Sequence, residues 1–148
     1  MYKRHFLNRP SGAITQYLHD PKYKHSLSAD PVLSILIDSQ NDVWVGTWGG
    51  GLNKLDLSSG IFKHYKNNPN DKHSFHSNVA WSIYEDKFGQ IWLGTGDGMS
   101  RYIRASDNFE HYLPDNSANT LDSGGVTAFY EDHLGVFWVG TEVGLSRM

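Results

Sequence analysis

Apolar positions in this chain come in short runs broken by turn residues. Leu33, Ile35, Leu36 and Ile37 make one run, Ile91-Trp92-Leu93 a second, and Val136-Phe137-Trp138-Val139 a third. Runs this short, bounded by Gly, Asp and Asn, predict strands. A helical period of 3.6 is absent. Runs that are apolar at successive positions belong to strands covered on both faces. One stretch shows the plan in full. It reads as strand a over 79–85, a turn at Asp86-Lys87-Phe88-Gly89, and strand b over 90–95. A second turn, Gly96-Asp97-Gly98, leads to strand c over 99–103, then strand d over 108–113 and a polar loop over 114–125.

The plan repeats. Trp44, Trp92 and Trp138 each precede an apolar residue, Gly and Thr, and Asp38, Asp86 and Asp132 lie six residues before them. Asn41, Gly89 and Gly135 share one position between Asp and Trp. Gly51-Leu52, Gly98-Met99 and Gly144-Leu145 follow, then Phe62-x-His64-Tyr65 and Phe109-x-His111-Tyr112, with a degenerate earlier copy at Ile14-x-Gln16-Tyr17. The period is 46 to 48 residues. Four short strands per period with a Gly/Trp signature mark β-propeller blades. The expected fold is all-β: three four-stranded antiparallel repeats of about 47 residues. Residues 1–20 would be the end of a preceding blade, its strand d. Blade one would occupy 31–65, blade two 78–112, and blade three 125–148 without a strand d. The repeated Trp is expected in the core between blades, and the Gly after it where a neighbouring backbone comes close. The repeated Asp is expected to bond its own turn. Ser34, Ser82 and Ala128 share a position where blades crowd near an axis.

Phase adds a further expectation. Leu7 aligns with Leu55, and Met148 with Leu55, so the last unit lacks the strand that the start of the chain carries. Closed propellers have about 4–8 blades, so three cannot close. An arc of three would expose two apolar faces. The chain then reads either as a piece of a longer propeller or as a protomer whose first strand completes the last blade of another copy. Self-association into a dimer of six blades is favoured over a trimer of nine.

Composition changes this picture little. The 148 residues carry a net charge of −3, with 15 Gly, 5 Trp, 8 Tyr and 7 Phe. These numbers exclude a coiled coil, a disordered tail and a basic nucleic-acid surface. Zero cysteines exclude disulfides and a thiol nucleophile. No apolar run approaches the roughly 18 residues of a membrane span, so direct membrane insertion is not expected. The basic start, Met1 to Phe6, has no apolar segment after it, so no signal peptide is expected.

Ser82-Ile83-Tyr84-Glu85-Asp86-Lys87-Phe88-Gly89-Gln90-Ile91-Trp92-Leu93-Gly94-Thr95, continued by Gly98-Met99-Ser100-Arg101-Tyr102, resembles the two-component regulator propeller repeat. The stretches ending at Trp44-Val45-Gly46-Thr47 and Trp138-Val139-Gly140-Thr141 match the same pattern, with Asn41 in place of the usual Gly. The resemblance covers nearly all of the chain. It implies the extracytoplasmic sensor region of a bacterial hybrid histidine kinase, where two propellers precede a β-domain, a membrane span and the kinase. It also implies a periplasmic location and the sensing of carbohydrate-type ligands. With neither signal peptide nor span, the chain would be cytoplasmic if it were the whole protein.

In a propeller the d–a and b–c loops share one face, and binding uses such loop ends. That face carries Trp48, Asp97 and Glu142 in b–c loops. The d–a loops add Asp30, His73, His76 and Ser123, with Tyr23, His25, Asn78 and Asn119 beside them. Trp81, early in strand a, is a further candidate. An indole beside polar groups suits a sugar, though Trp48 could equally pack on a neighbouring loop. His73-x-x-His76 has no repeated carboxylate partner, so no metal or other cofactor is expected. Glu85-Asp86 and Glu131-Asp132 point to opposite sides of a strand and read as solvated turn residues, not facing glycosidase carboxylates. The sequence therefore favours a non-catalytic ligand-binding propeller. The alternatives are a propeller for protein interaction and a metal-dependent lyase similar to virginiamycin B lyase. For the lyase only His76 and Glu142 suggest themselves.

Overall fold

The structure is a computed structural model, and it describes residues 12, 14–115, 117, 120–121 and 124–148. Among the described residues eleven strands form three antiparallel sheets. The first holds β1 (Val32–Ile37), β2 (Val43–Thr47), β3 (Gly51–Asp56) and β4 (Ile61–Tyr65) in sequential order. The second repeats this with β5 (Ser82–Glu85), β6 (Ile91–Thr95), β7 (Gly98–Ile103) and β8 (Asn108–Tyr112). The third has β9 (Val126–Glu131), β10 (Phe137–Thr141) and β11 (Leu145–Arg147). Registers repeat as well: Leu36 pairs with Trp44, Tyr84 with Trp92, and Tyr130 with Trp138. The sheets stack face to face in chain order, with β1, β5 and β9 neighbouring one another. This is the blade arrangement of a propeller. Residues 14–20 lie outside the strands, and the positions before them, apart from Gly12, lie outside the described residues.

Each a–b turn is built by its Asp. Asp38 Oδ1 accepts the Gln40 and Asp42 amides, both at 2.9 Å, while Oδ2 accepts the Trp44 indole N–H at 2.8 Å. Asp86 and Asp132 do the same for Trp92 and Trp138, each at 2.9 Å. The turn needs a left-handed residue, supplied by Gly89 (φ 75°) and Gly135 (φ 80°). Asn41 holds the same place at φ 64°, which a short polar side chain tolerates. That explains the single departure from Gly in the repeat.

Between the first two sheets lies an aromatic core of Trp44, Leu52, Tyr65, Phe75, Ile91, Leu93, Tyr102 and Phe109. Between the second and third lie Trp92, Met99, Val126, Phe137 and Val139. Both glycines after the buried tryptophans are needed. A Cβ on Gly46 would strike the Ala80 carbonyl, and one on Gly94 the Val126 carbonyl. The outer side of the first sheet is partly roofed by Tyr17 and Leu27, packed with Val45, Leu55 and Phe62. Among the described residues nothing roofs its inner strand, and Ile35 is 66% exposed. On the last sheet Trp138 is only half-buried, unlike its two counterparts.

Candidate functional site

The b–c turns and d–a loops gather at one end of the stacked sheets. Trp48, in the first b–c turn, is 58% exposed. Its mounting is firm: its N–H donates to the Pro31 carbonyl at 2.9 Å, and its backbone bridges to Val79 of the next d–a loop. Gly51 N–H donates to the Asn78 carbonyl at 2.8 Å, and Ala80 N–H to the Thr47 carbonyl at 3.2 Å. The turn that carries the indole is thus held from both sides.

The other candidates are distributed along this end. Trp81 is half-buried and lies over Gly96, where an added Cβ would touch its ring at 3.4 Å. Asp97 is exposed and close to Gly124. Glu142 is exposed, its amide donates to the Gly125 carbonyl at 2.9 Å, and its side chain covers Gly125. Asp30 accepts the His19 amide at 2.7 Å. His73 is exposed, with its amide on Asp71 and its carbonyl accepting the Phe109 N–H. Ser123 and Asn119 lie outside the described residues. Trp48 and the Asn78–Val79 segment are brought together, and so are Trp81, Gly96 and Asp97. His73 and Asp30 stay in separate loops.

His76 is part of a polar wedge. Its ring nitrogens are hydrogen-bonded to Ser100 at 2.7 Å and Thr95 at 2.9 Å, and Ser100 is bonded onward to His111 at 2.9 Å. Burial pushes the His76 imidazole down to about 4, and the neighbouring His111 adds to this against a weaker pull from Asp97. His76 is neutral at pH 7 as a result. In the first sheet Ser28 takes the same place, with its hydroxyl 3.3 Å from Thr47 and its amide on Asn53. The wedge therefore pins a d–a loop to its own blade. Among the described residues no three His, Asp or Glu side chains are grouped to hold a metal. Among the described residues no helix is long and apolar enough to cross a membrane.

The adjacent carboxylates do not behave as solvated turn residues. Asp38 and Asp86 are buried. Glu85 reaches back to the preceding turn, accepting the Ser39 amide at 2.7 Å and hydroxyl at 2.6 Å. Glu131 accepts the Lys87 amide at 2.9 Å and pairs with its ammonium at 2.8 Å. A turn in one blade is thus fastened by a Glu of the next. Arg104 does likewise, reaching Asp38 at 2.5 Å and Asp42 at 3.2 Å. Burial would raise the Asp38 carboxyl, but the Trp44 indole, Arg104 and two amides outweigh it and hold it below the usual range. Asp107 joins the first two blades by accepting the Tyr65 and Tyr102 hydroxyls, each at 2.7 Å, and by pairing with Lys63. Burial and this carboxylate together push both phenols up. Arg104 and Asp107 escape a reading of the sequence because neither recurs from blade to blade. The one available signal is Asp107 standing where the first blade has Gly60, both with positive φ.

The sequence matches the two component regulator propeller family over residues 26–49, 74–97 and 120–143. No curated protein matches the chain. Among solved structures it is similar to an extracellular domain described as that of a hybrid two component system from B. thetaiotaomicron. That likeness has 23% identity and a TM-score of 0.80, and covers 93% of this chain and 19% of the other. A second such extracellular domain from B. thetaiotaomicron has 25% identity and a TM-score of 0.71, with 93% and 18% covered. Virginiamycin B lyase from Staphylococcus aureus shares the fold at 16% identity and a TM-score of 0.57, with 93% and 45% covered. The chain spans about a fifth of the length of the two component relatives. Three matches in one phase, each with the same Asp turn, Trp and Gly, show that this chain carries three repeats of the two component regulator propeller family.

Proposed function

We propose that this chain is a non-catalytic ligand-binding part of a periplasmic sensor region, and that its loop end takes a carbohydrate. The observation that carries this reading is Trp48, an exposed indole on a turn held by Pro31 and by the Val79 bridge. A sugar presents an apolar face to stack on such a ring and hydroxyls for polar neighbours. Trp81 with Asp97, and Asn78 beside Trp48, supply a second aromatic and the polar groups. Ser123 and Glu142 remain candidates further along the same end. The likeness to extracellular domains of two component systems supports the location and the sensing role. A hydrolytic or lyase site has less support. His76 is engaged on Thr95 and Ser100, and Glu142 belongs to a different blade.

The test is titration calorimetry, with tryptophan fluorescence, against a panel of neutral mono- and oligosaccharides. At least one sugar is expected to bind and shift Trp emission. Trp48→Ala is expected to reduce its affinity tenfold or more while the unfolding midpoint stays within about a degree, as for a surface change. Absence of binding across the panel, or unchanged affinity in Trp48→Ala, overturns the reading.

A further inference from the structure

The second d–a loop is clamped at two places that lie two residues apart. His76 fastens it to its own blade, between Thr95 of β6 and Ser100 of β7. Asn78, Val79 and Ala80 fasten it to the b–c turn of the blade before, where Trp48 stands. The Asn78 carbonyl accepts the Gly51 N–H, Val79 bridges to Trp48 and Gly51, and the Ala80 N–H donates to the Thr47 carbonyl. Asn67 ties the two clamps together. Its side-chain amide donates to the His76 carbonyl, and its backbone N–H donates to Asn78 Oδ1 at 3.0 Å. Two residues of chain span at most about 7 Å. The His76 ring therefore cannot leave its seat without pulling on Asn78.

The first clamp can titrate, whereas its counterpart in the first blade cannot. There Ser28 takes the place of His76, and Asn53 the place of Ser100. His64, the counterpart of His111, has its ring on the Ser26 carbonyl at 2.7 Å and meets no second imidazole at the pin. In the second blade the rings of His76 and His111 are 4.9 Å apart and joined through Ser100. His76 faces His111 from β8 and Asp97 from the b–c turn. His111 is faced in turn by His73 from the loop and by Glu110 of its own strand. Asp97 and Glu110 are exposed, so solvent screens them. Burial and the second imidazole therefore prevail and disfavour charge on His76. Opening the loop frees the ring from both, and it regains an ordinary affinity for protons. Acid thus favours the open loop.

We propose that His76, together with His111, is a proton-sensitive clamp on the mount of Trp48, releasing the first b–c turn in acid so that the loop end holds a sugar less tightly. His76 is then a positioning residue for the indole. The effect on binding rests on the carbohydrate reading of Trp48, whereas the release of the loop does not. The window runs from about 6.5, the ordinary value of the imidazole, down to about 4, its value in the closed loop.

Amide hydrogen exchange, followed by NMR on the whole chain without sugar and corrected for intrinsic rates, tests the clamp. Protection of the Gly51 amide is expected to fall about tenfold between pH 7 and pH 5. Leu93, in the central strand of the second sheet, is expected to keep its protection. His76→Gln can bond Thr95 and Ser100 but takes up no proton, so Gly51 should be equally protected at both pH values. His111→Gln removes the like charge and is expected to lessen the fall. Protection at Gly51 that stays constant in the unaltered chain, falls in step with Leu93, or still falls in His76→Gln overturns the clamp. This arm decides the clamp whether or not a sugar binds. Calorimetry with the neutral sugar of the panel that binds at pH 7 tests the consequence. Affinity is expected to drop at least twofold at pH 5 in the unaltered chain, as the closed population shrinks, and to hold in His76→Gln. Equal affinity at both pH values in the unaltered chain overturns the bearing of the clamp on the site.

Discussion

The second blade and the third carry the same signature, yet they differ in what lies beyond them. Beyond the second lies another sheet, and Met99 and Trp92 are buried. Beyond the third, Leu145, the counterpart of Met99, is 65% exposed and Trp138 is half-buried. The Asp–Trp hydrogen bond is the same in both, 2.9 Å from Asp86 to Trp92 and from Asp132 to Trp138. A blade therefore sets its own turn and indole, while its stability comes from the neighbour. The signature residues divide between these tasks. Asp and the left-handed Gly build the blade's own turn, with Asp38 also taking Arg104 from the next blade, whereas Trp, the following Gly and Leu or Met serve the joint.

The largest test of this division is to remove the indole on either side of it. Trp44→Ala in the internal joint is expected to cost about 3–5 kcal/mol, as for a buried aromatic. Trp138→Ala is expected to cost about 1 kcal/mol, because among the described residues its outer face meets no sheet. Urea unfolding of both variants gives the comparison. Equal losses would break it. A smaller effect is expected at the glycines. Gly94→Ala must displace the Val126 backbone and is expected to cost about 1–3 kcal/mol, against less than about 0.5 for Gly140→Ala. An equal cost at Gly140 would break this difference.

The smallest effect is one of pH. The folded-state value of His76, about 4, lies below its ordinary 6.5. The unfolded chain therefore binds the extra proton first as pH falls, and the contribution of neutral His76 is lost progressively between about 6.5 and 4. His76→Ser copies Ser28 of the first blade. It is expected to flatten the fall in unfolding midpoint across that window, as followed by thermal melts at steps of half a unit. The carboxylates Asp38 and Asp107, held low, act below this window and remain in both proteins. An unchanged slope would mean that His76 does not titrate with unfolding.

Much of the fold was legible because repetition reveals spacing. Three Trp-x-Gly-Thr signatures at one period announced sheets, turns and order, and even the Asn41 exception falls at the turn position that needs positive φ. What repetition could not reveal is chemistry that occurs once. Arg104 and Asp107 fasten the first joint alone, and their partners are 62 to 66 and 42 residues away along the chain. Glu85 and Glu131 do recur, but their task appears only when the next blade is in place, so exposure was the natural expectation. The loop end was legible as a place and not as an arrangement. Nothing in the spacing distinguishes His76, sunk between Thr95 and Ser100, from His73, left in solvent.

The hydrogen bond from each Asp to its own Trp has a further consequence for how such chains change over generations. Because it spans six residues inside one sheet, a duplicated segment arrives with its joint surface already shaped. Duplication or loss of one period alters the number of blades without first rewriting the neighbours. Individual seams can then drift, so long as both sides drift together. The unit of repetition in this architecture is thus a turn with its tryptophan.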